Sequence, residues 1–130
     1  MTLRVIQWST GNVGRHALRL IHQHPDLELV GLWVHSADKA GRDACELAEG
    51  IDSPTGVLAT NDADALLALD ADCVCYTATA DLRPNEAMAD LARIAASGKN
   101  IVSSSVVPLI FPPHVEPHLR APLEDACASS

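Results

Sequence analysis

A chain of 130 residues with a formal charge of −8 and a pI near 5.0 has room for one domain with its own core, and its acidic balance excludes a nucleic-acid partner, which demands a basic face. No apolar run is long enough to span a bilayer and the N-terminus opens on a strand rather than a leader, so a cytoplasmic protein without a membrane partner is expected. A hydrophobic fraction of 48% with only two tryptophans, one tyrosine and one phenylalanine implies an interior of Val, Leu, Ile and Ala, as in a parallel sheet covered on both faces.

The first element runs from Arg4 through Val5, Ile6, Gln7 and Trp8, residues that suit a buried strand, and it stops at Ser9-Thr10-Gly11. A helix follows at once: Gly14, Ala17, Leu18 and Ile21 recur at i, i+3, i+4 and i+7 and form one apolar face. A strand that turns tightly into a helix presents unpartnered N–H groups and the positive end of the helix dipole, which together suit a phosphate. The dinucleotide pattern G-x-G-x-x-G laid on residues 9 to 14 finds Ser9, Gly11 and Gly14, so the first glycine is replaced. Gly11 is expected to let the backbone approach a pyrophosphate and Gly14 to let the helix pack closely. Arg15 either adds charge at the phosphates or is a solvated surface arginine.

Pro25 ends that helix at His24, and Leu27 to Val34 reads as the second strand, closed by His35 and Ser36. Residues 37–50, with helix-compatible Ala, Glu and Leu between flanking glycines, predict a short or partial helix. Val57-Leu58-Ala59 predicts a short third strand. Asn61 is placed to cap the next helix, whose inward face is Ala63, Leu66 and Leu67. Asp72 to Tyr76 is the fourth strand, leading into Thr77-Ala78-Thr79-Ala80. Pro84 opens a helix with Met88, Leu91, Ala92 and Ala95 inward, and Gly98 fits the residue beyond its end. Asn100 to Ser103 is the fifth strand; after a proline-rich stretch a last helix is expected between Leu119 and Ala128.

Cys45, Cys73, Cys75 and Cys127 contain no C-x-x-C pair, and Cys73 and Cys75 alternate along an apolar run, so all four are read as reduced core residues. No metal site is expected from them, and His114 and His118 are interrupted by Pro117. His22 and His24 diverge at a helix end and read as surface.

This alternation specifies an α/β fold, a Rossmann-type doubly wound parallel sheet of order 3-2-1-4-5 with helices on both faces, because each parallel crossover is right-handed and lays a helix over one face. The ligand of such a sheet lies beyond the carboxyl ends of the strands where the order reverses. That edge gathers Thr10, Gly11, Asn12, Val13 and Gly14, then His35 and Ser36, then Tyr76, Thr77, Ala78 and Thr79, then Ser103, Ser104 and Ser105. About twenty residues past the glycine turn an NAD site usually presents an acid to the ribose hydroxyls, and Val34, His35 and Ser36 offer none. Lys39 and Arg42 follow, able to meet a 2′-phosphate with His35 and Ser36, so NADP is favoured and NAD remains the alternative. The other reading of Lys39 and Arg42 is that they solvate a helix.

The segments WSTGNVGRHAL, LVGLWVHSADKAGRDACELAEG, YTAT and GKNIVSSSVVPLIFP resemble the N-terminal domain of the dihydrodipicolinate reductase-like family, in its amine and 2,4-diaminopentanoate dehydrogenase branch. The resemblance covers nearly the whole chain and lies in the order and spacing of these segments; Ser9 departs from the fingerprint. It implies an oxidoreductase that moves hydride between a nicotinamide cofactor and an amine, imine or dihydrodipicolinate-like substrate. Gly11 to Gly14 would then hold the pyrophosphate, with Thr77 to Thr79, Ser103 and Ser104 bordering the nicotinamide ribose. It also implies a second domain for small-molecule substrate and dimer contacts, so residues 1–130 are expected to be the dinucleotide-binding domain without it, inactive alone and compatible with a homo-oligomer; no catalytic residue is assigned. A short-chain dehydrogenase is discounted because Tyr76 is followed four residues on by Ala80 in place of lysine. A non-catalytic nucleotide- or coenzyme A-binding module of the same fold is the remaining alternative.

Overall fold

A computed structural model of the chain describes residues 1–129. Its elements alternate as β1 (Leu3–Trp8), α1 (Gly14–Gln23), β2 (Leu27–Trp33), α2 (Ala44–Leu47), β3 (Ala59–Thr60), α3 (Ala63–Leu67), β4 (Cys73–Tyr76), α4 (Pro84–Ala96) and β5 (Asn100–Ser103). Two short 3₁₀ turns, Val107–Ile110 and Pro112–His114, lead into α5 (Pro117–Ser129). The five strands form one parallel sheet in the order β3-β2-β1-β4-β5, as the alternation predicts. Both neighbours of β1 are therefore crossover partners, and the order reverses at its carboxyl end.

Alternate residues of β1 feed two cores, because successive side chains of a strand point to opposite faces. Val5 joins Leu18 and Ile21 of α1 with Leu29, Leu32, Val34 and Ala44 on one face. Ile6 and Trp8 join Val74, Tyr76, Met88, Leu91 and Ile94 on the other. Of the periodic residues, Gly14, Leu18 and Ile21 of α1 and Met88, Leu91 and Ala95 of α4 are buried and Ala17 and Ala92 half-buried, while Ala87 and Ile94 widen the buried face of α4. Gly98, with φ of +87°, follows the end of α4, where the left-handed conformation favours glycine.

The short or partial helix expected within residues 37–50 is present as Ala44–Leu47, where Asp43 caps it: its side chain accepts from Cys45 N, while Glu46 reaches back to the Asp43 amide. Several local expectations are corrected. The third strand is Ala59–Thr60; Leu58 instead makes an isolated antiparallel bridge to Asp43. Asp62, not Asn61, caps α3 by accepting from Ala65 N at 3.1 Å. The last helix begins two residues early, at Pro117, whose fixed φ and missing N–H suit a first turn. Cys73 and Cys75 share a face of β4 but, like Cys45, are only half-buried, and Cys127 on α5 is exposed, so none of the four is a fully buried core residue. Burial pushes the Cys73 and Cys75 thiols above their ordinary value. His22 and His24 are exposed. Among the described residues no helix is long and apolar enough to cross a membrane, and no three His, Cys, Asp or Glu side chains converge as metal ligands.

Candidate functional site

The turn after β1 is built around a strained residue. Ser9 has φ of +87°, a left-handed conformation that L-residues rarely adopt, and it stands where the fingerprint places its first glycine. Its amide donates to Trp33 O at 2.9 Å and its carbonyl accepts from Gln7 Nε2 at 2.9 Å, which holds the strained geometry in place. A β-carbon on residue 14 would collide with Ser9 O and come within 2.8 Å of Thr77 Oγ1. Only glycine lets α1 start this close to the turn.

Gly11 is exposed, and a β-carbon there would meet nothing within 4 Å. The space above it is open for a ligand. Among the described residues the amides of Gly11, Asn12 and Val13 donate to no protein group, α1 has no side-chain cap, and no acidic residue occupies its first turn. Unpartnered N–H groups, the positive end of a ten-residue helix and a first turn without an acidic residue together make an anion cradle. Arg15 and His16 flank it on the exposed side, 3.7 and 3.6 Å from Glu49.

The loop after β2 turns back toward this cradle. Val34 is buried, His35 is exposed with its ring 6.2 Å from that of Trp33, and Ser36 Oγ accepts from Asp38 N. Lys39 reaches across and donates from Nζ to Thr10 Oγ1 at 3.0 Å, so its charge already sits on the glycine turn. Arg42 is drawn the other way, 3.6 Å from Glu46. The structure thus separates the two cations that the sequence offers together.

From β4, Thr77 bonds to β1 twice: its amide and its hydroxyl each donate to Trp8 O at 3.1 Å. The rest of that loop is anchored by Arg83, which donates to Thr79 O at 3.0 Å, to Tyr76 Oη at 3.2 Å and to Asp90 Oδ2 at 3.0 Å, while Tyr76 donates to the same Asp90 oxygen at 2.7 Å. Burial, reinforced by the Asp90 carboxylate, pushes the Tyr76 phenol up to about 12. A cavity of about 440 Å³ opens between these loops, lined by Ser9, Trp33, His35, Ala78, Thr79 and Arg83, with Glu86 and Asp90 on the α4 side. The indole of Trp33 lines it and is stacked at 5.0 Å on the buried Trp8.

Thr10, Gly14, His35, Lys39, Thr77, Ala78 and Thr79 are therefore brought together. Ser103 and Ser104 stand one strand further out; Ser103 Oγ accepts from Ser105 N, and Ser105 Oγ reaches Tyr76 O at 3.4 Å. Sequence reasoning missed Gln7, Trp33, Arg83 and Asp90. Only Gln7 carried a legible signal, an amide inside an otherwise apolar strand.

Known proteins share this fold. The chain is 43% identical over 121 residues to an amine dehydrogenase from Streptomyces virginiae, a match that covers 93% of the chain and 33% of the relative. It is 36% identical over 63 residues to a 4-hydroxy-tetrahydrodipicolinate reductase from Nostoc punctiforme, covering 48% of the chain and 22% of that protein. Among solved structures, an amine dehydrogenase from Mycobacterium smegmatis superposes with a TM-score of 0.84 at 24% identity, over 99% of the chain and 37% of its own length. No family model matches. The chain spans about a third of the length of the amine dehydrogenases it matches.

Proposed function

Because this chain is a dinucleotide-binding domain of the dihydrodipicolinate reductase-like family, in its amine dehydrogenase branch, we propose that it holds a nicotinamide dinucleotide, NADP in preference to NAD, for an oxidoreductase. The observation that carries the reading is the uncapped start of α1, where the amides of Gly11, Asn12 and Val13 lack acceptors and no acidic residue occupies the helix's first turn. Those amides, with Thr10 and Gly14 shaping the turn, hold the pyrophosphate. The cavity beside Trp33 and His35 takes the adenosine end, and the half-buried Lys39, with Ser36, meets the 2′-phosphate, while Arg42 stays paired with Glu46. Thr77, Ala78, Thr79, Ser103 and Ser104 border the nicotinamide ribose.

When bound, the dinucleotide supplies or accepts hydride. The chain's own residues orient it: the glycine turn fixes the phosphates, and the Arg83, Tyr76 and Asp90 network fixes the loop after β4. Hydride transfer needs donor and acceptor carbons in near-attack geometry with water excluded, and one layer of strand ends supplies one wall. We therefore assign residues 1–130 the cofactor half of the site, and turnover of an amine or imine to a longer polypeptide that encloses the substrate.

Calorimetric titration of the chain with NADPH, NADH, ATP and coenzyme A tests this. NADPH is expected to bind severalfold tighter than NADH at low salt, the gap narrowing as salt screens the Lys39 charge. Equal affinity for the two would overturn the NADP assignment. ATP or coenzyme A binding as tightly as the dinucleotides would overturn the nicotinamide reading itself.

A further inference from the structure

The cradle and the loop that borders it come from different strands, β1 and β4, and one buried side chain bonds to both. Gln7 is wholly buried, on a strand whose other inward positions are Val5, Ile6 and Trp8. Its Nε2 donates at 2.9 Å to Ser9 O and at 2.9 Å to Thr77 Oγ1, while Thr77 Oγ1 in turn donates to Trp8 O. An amide nitrogen has two hydrogens, so these two bonds use its donor capacity, and the approach to Trp8 O at 3.5 Å is secondary.

The consequence follows from the peptide bond. A trans peptide is planar, with its C=O and N–H pointing in opposite directions. Holding Ser9 O on Gln7 therefore aims the Thr10 N–H the opposite way, and that amide, like those of Gly11 to Val13, has no acceptor among the described residues. The same carbonyl is the group that Gly14 must clear for α1 to begin. Gln7 also does something that packing alone would not select: its Oε1 is buried without a partner, an arrangement that costs stability and that an apolar residue of similar size would avoid.

We propose that Gln7 is a positioning residue for the dinucleotide: without touching the ligand, its amide sets the phosphate turn through Ser9 and the neighbouring β4 loop through Thr77. The proposal rests on the reading of the turn as the pyrophosphate site. It assigns to Gln7 chiefly the half of the ligand that lies on the turn; the adenosine end also meets Trp33, His35 and Lys39, none of which Gln7 bonds, and shares only Ser9, Ala78 and Thr79 with the segments it holds.

The experiment compares the wild-type chain with Gln7→Met, which fills the same space without donors, using two probes: NADPH, and adenosine 2′-monophosphate, which lacks the pyrophosphate. Gln7→Met is expected to weaken NADPH at least tenfold while adenosine 2′-monophosphate loses severalfold less. In ¹⁵N–¹H spectra the Thr10 amide should move on NADPH addition in wild type and stay put in the variant. Thr77→Val, which removes one of the two acceptors together with the hydroxyl bond to Trp8 O and leaves Gln7 in place, should show the same split with a smaller, severalfold loss, and supplies the answer if Gln7→Met does not fold. Unchanged NADPH affinity in the variants, or equal weakening of both probes, would overturn the positioning role. A wild-type chain that fails to bind NADPH at all would instead overturn the site reading on which it rests.

Discussion

The carbonyl oxygen of Ser9 occupies the space that a β-carbon on Gly14 would need. The requirement for glycine at position 14 is thus a requirement of the turn and its helix, present before any ligand arrives, whereas Gly11 faces open space and has no such constraint. Gly14→Ala is expected to destabilise the fold by about 1–3 kcal/mol or more through overpacking against backbone, with Gly14→Val worse. Gly11→Ala should leave stability within about 0.5 kcal/mol of wild type and weaken only the dinucleotide. Thermal unfolding paired with NADPH titration separates the two, and Arg15→Ala, remote from the collision, should lose less affinity than Gly14→Val. A Gly14→Ala chain as stable as wild type would remove the steric argument.

Ser9→Gly should stabilise the chain. Left-handed backbone costs an L-residue about 1–2 kcal/mol, and glycine's greater freedom in the unfolded chain takes back about 0.5–1 kcal/mol, so a net gain of up to about 1 kcal/mol is expected at the φ of +87°. Denaturant midpoints measure it; a clear loss of stability would mean that the serine hydroxyl has a role of its own.

Lys39 and Arg42 should not contribute equally to cofactor choice. Lys39 already rests on Thr10 while Arg42 faces Glu46, so Lys39→Ala is expected to reduce the NADPH preference severalfold and Arg42→Ala to change it much less. The measurement is the NADPH to NADH affinity ratio at two ionic strengths. A larger effect at Arg42 would show that the loop rearranges around the ligand.

Tyr76 is the chain's single tyrosine, so its ionisation can be followed without ambiguity by absorbance near 295 nm. Burial first, then the Asp90 bond, holds the phenol protonated up to about 12 against an ordinary value of 10.0. A folded value above the unfolded one means that the folded state keeps the proton: this contribution to stability is whole below pH 10 and is lost as pH rises toward 12. Tyr76→Phe should abolish that alkaline dependence. A phenol in the folded chain titrating near 10 would contradict the network with Arg83 and Asp90.

Asp43 supplies the opposite limb. Partial burial opposes its charge, yet hydrogen bonds from the Cys45, Thr55 and Gly56 amides and the Thr55 hydroxyl hold its carboxyl well below the usual value of 3.8. With the folded value depressed, the stabilisation is whole above pH 4 and falls away as the medium is acidified below it. Asp43→Asn should flatten the acid limb of a melting-temperature profile between pH 2 and 5 and lower the plateau at neutral pH. An unchanged acid limb would show that the loop from Asp43 to Gly56 does not depend on this carboxylate.

Strand and helix identity was legible wherever a local period survived. The i, i+3, i+4, i+7 faces of residues 14–21 and 88–95 became the buried faces of α1 and α4, and the alternation of strands with helices sufficed for the order β3-β2-β1-β4-β5 because the handedness of parallel crossovers leaves few other arrangements. The glycine turn was legible for the same reason: strand, turn and helix are consecutive in the chain. Where the sequence misled, at Asn61 against Asp62, the choice between neighbouring caps depended on which side chain could reach an amide once the chain had folded. What only the tertiary structure decided were the pairings between segments distant in sequence: Gln7 with Thr77, Lys39 with Thr10, Trp33 with Trp8, and Arg83 with both Tyr76 and Asp90. Periodicity reports which face of an element is buried, but which polar atoms meet within hydrogen-bond reach depends on the register of β1 against β2 and β4, and that register exists only when the sheet has formed.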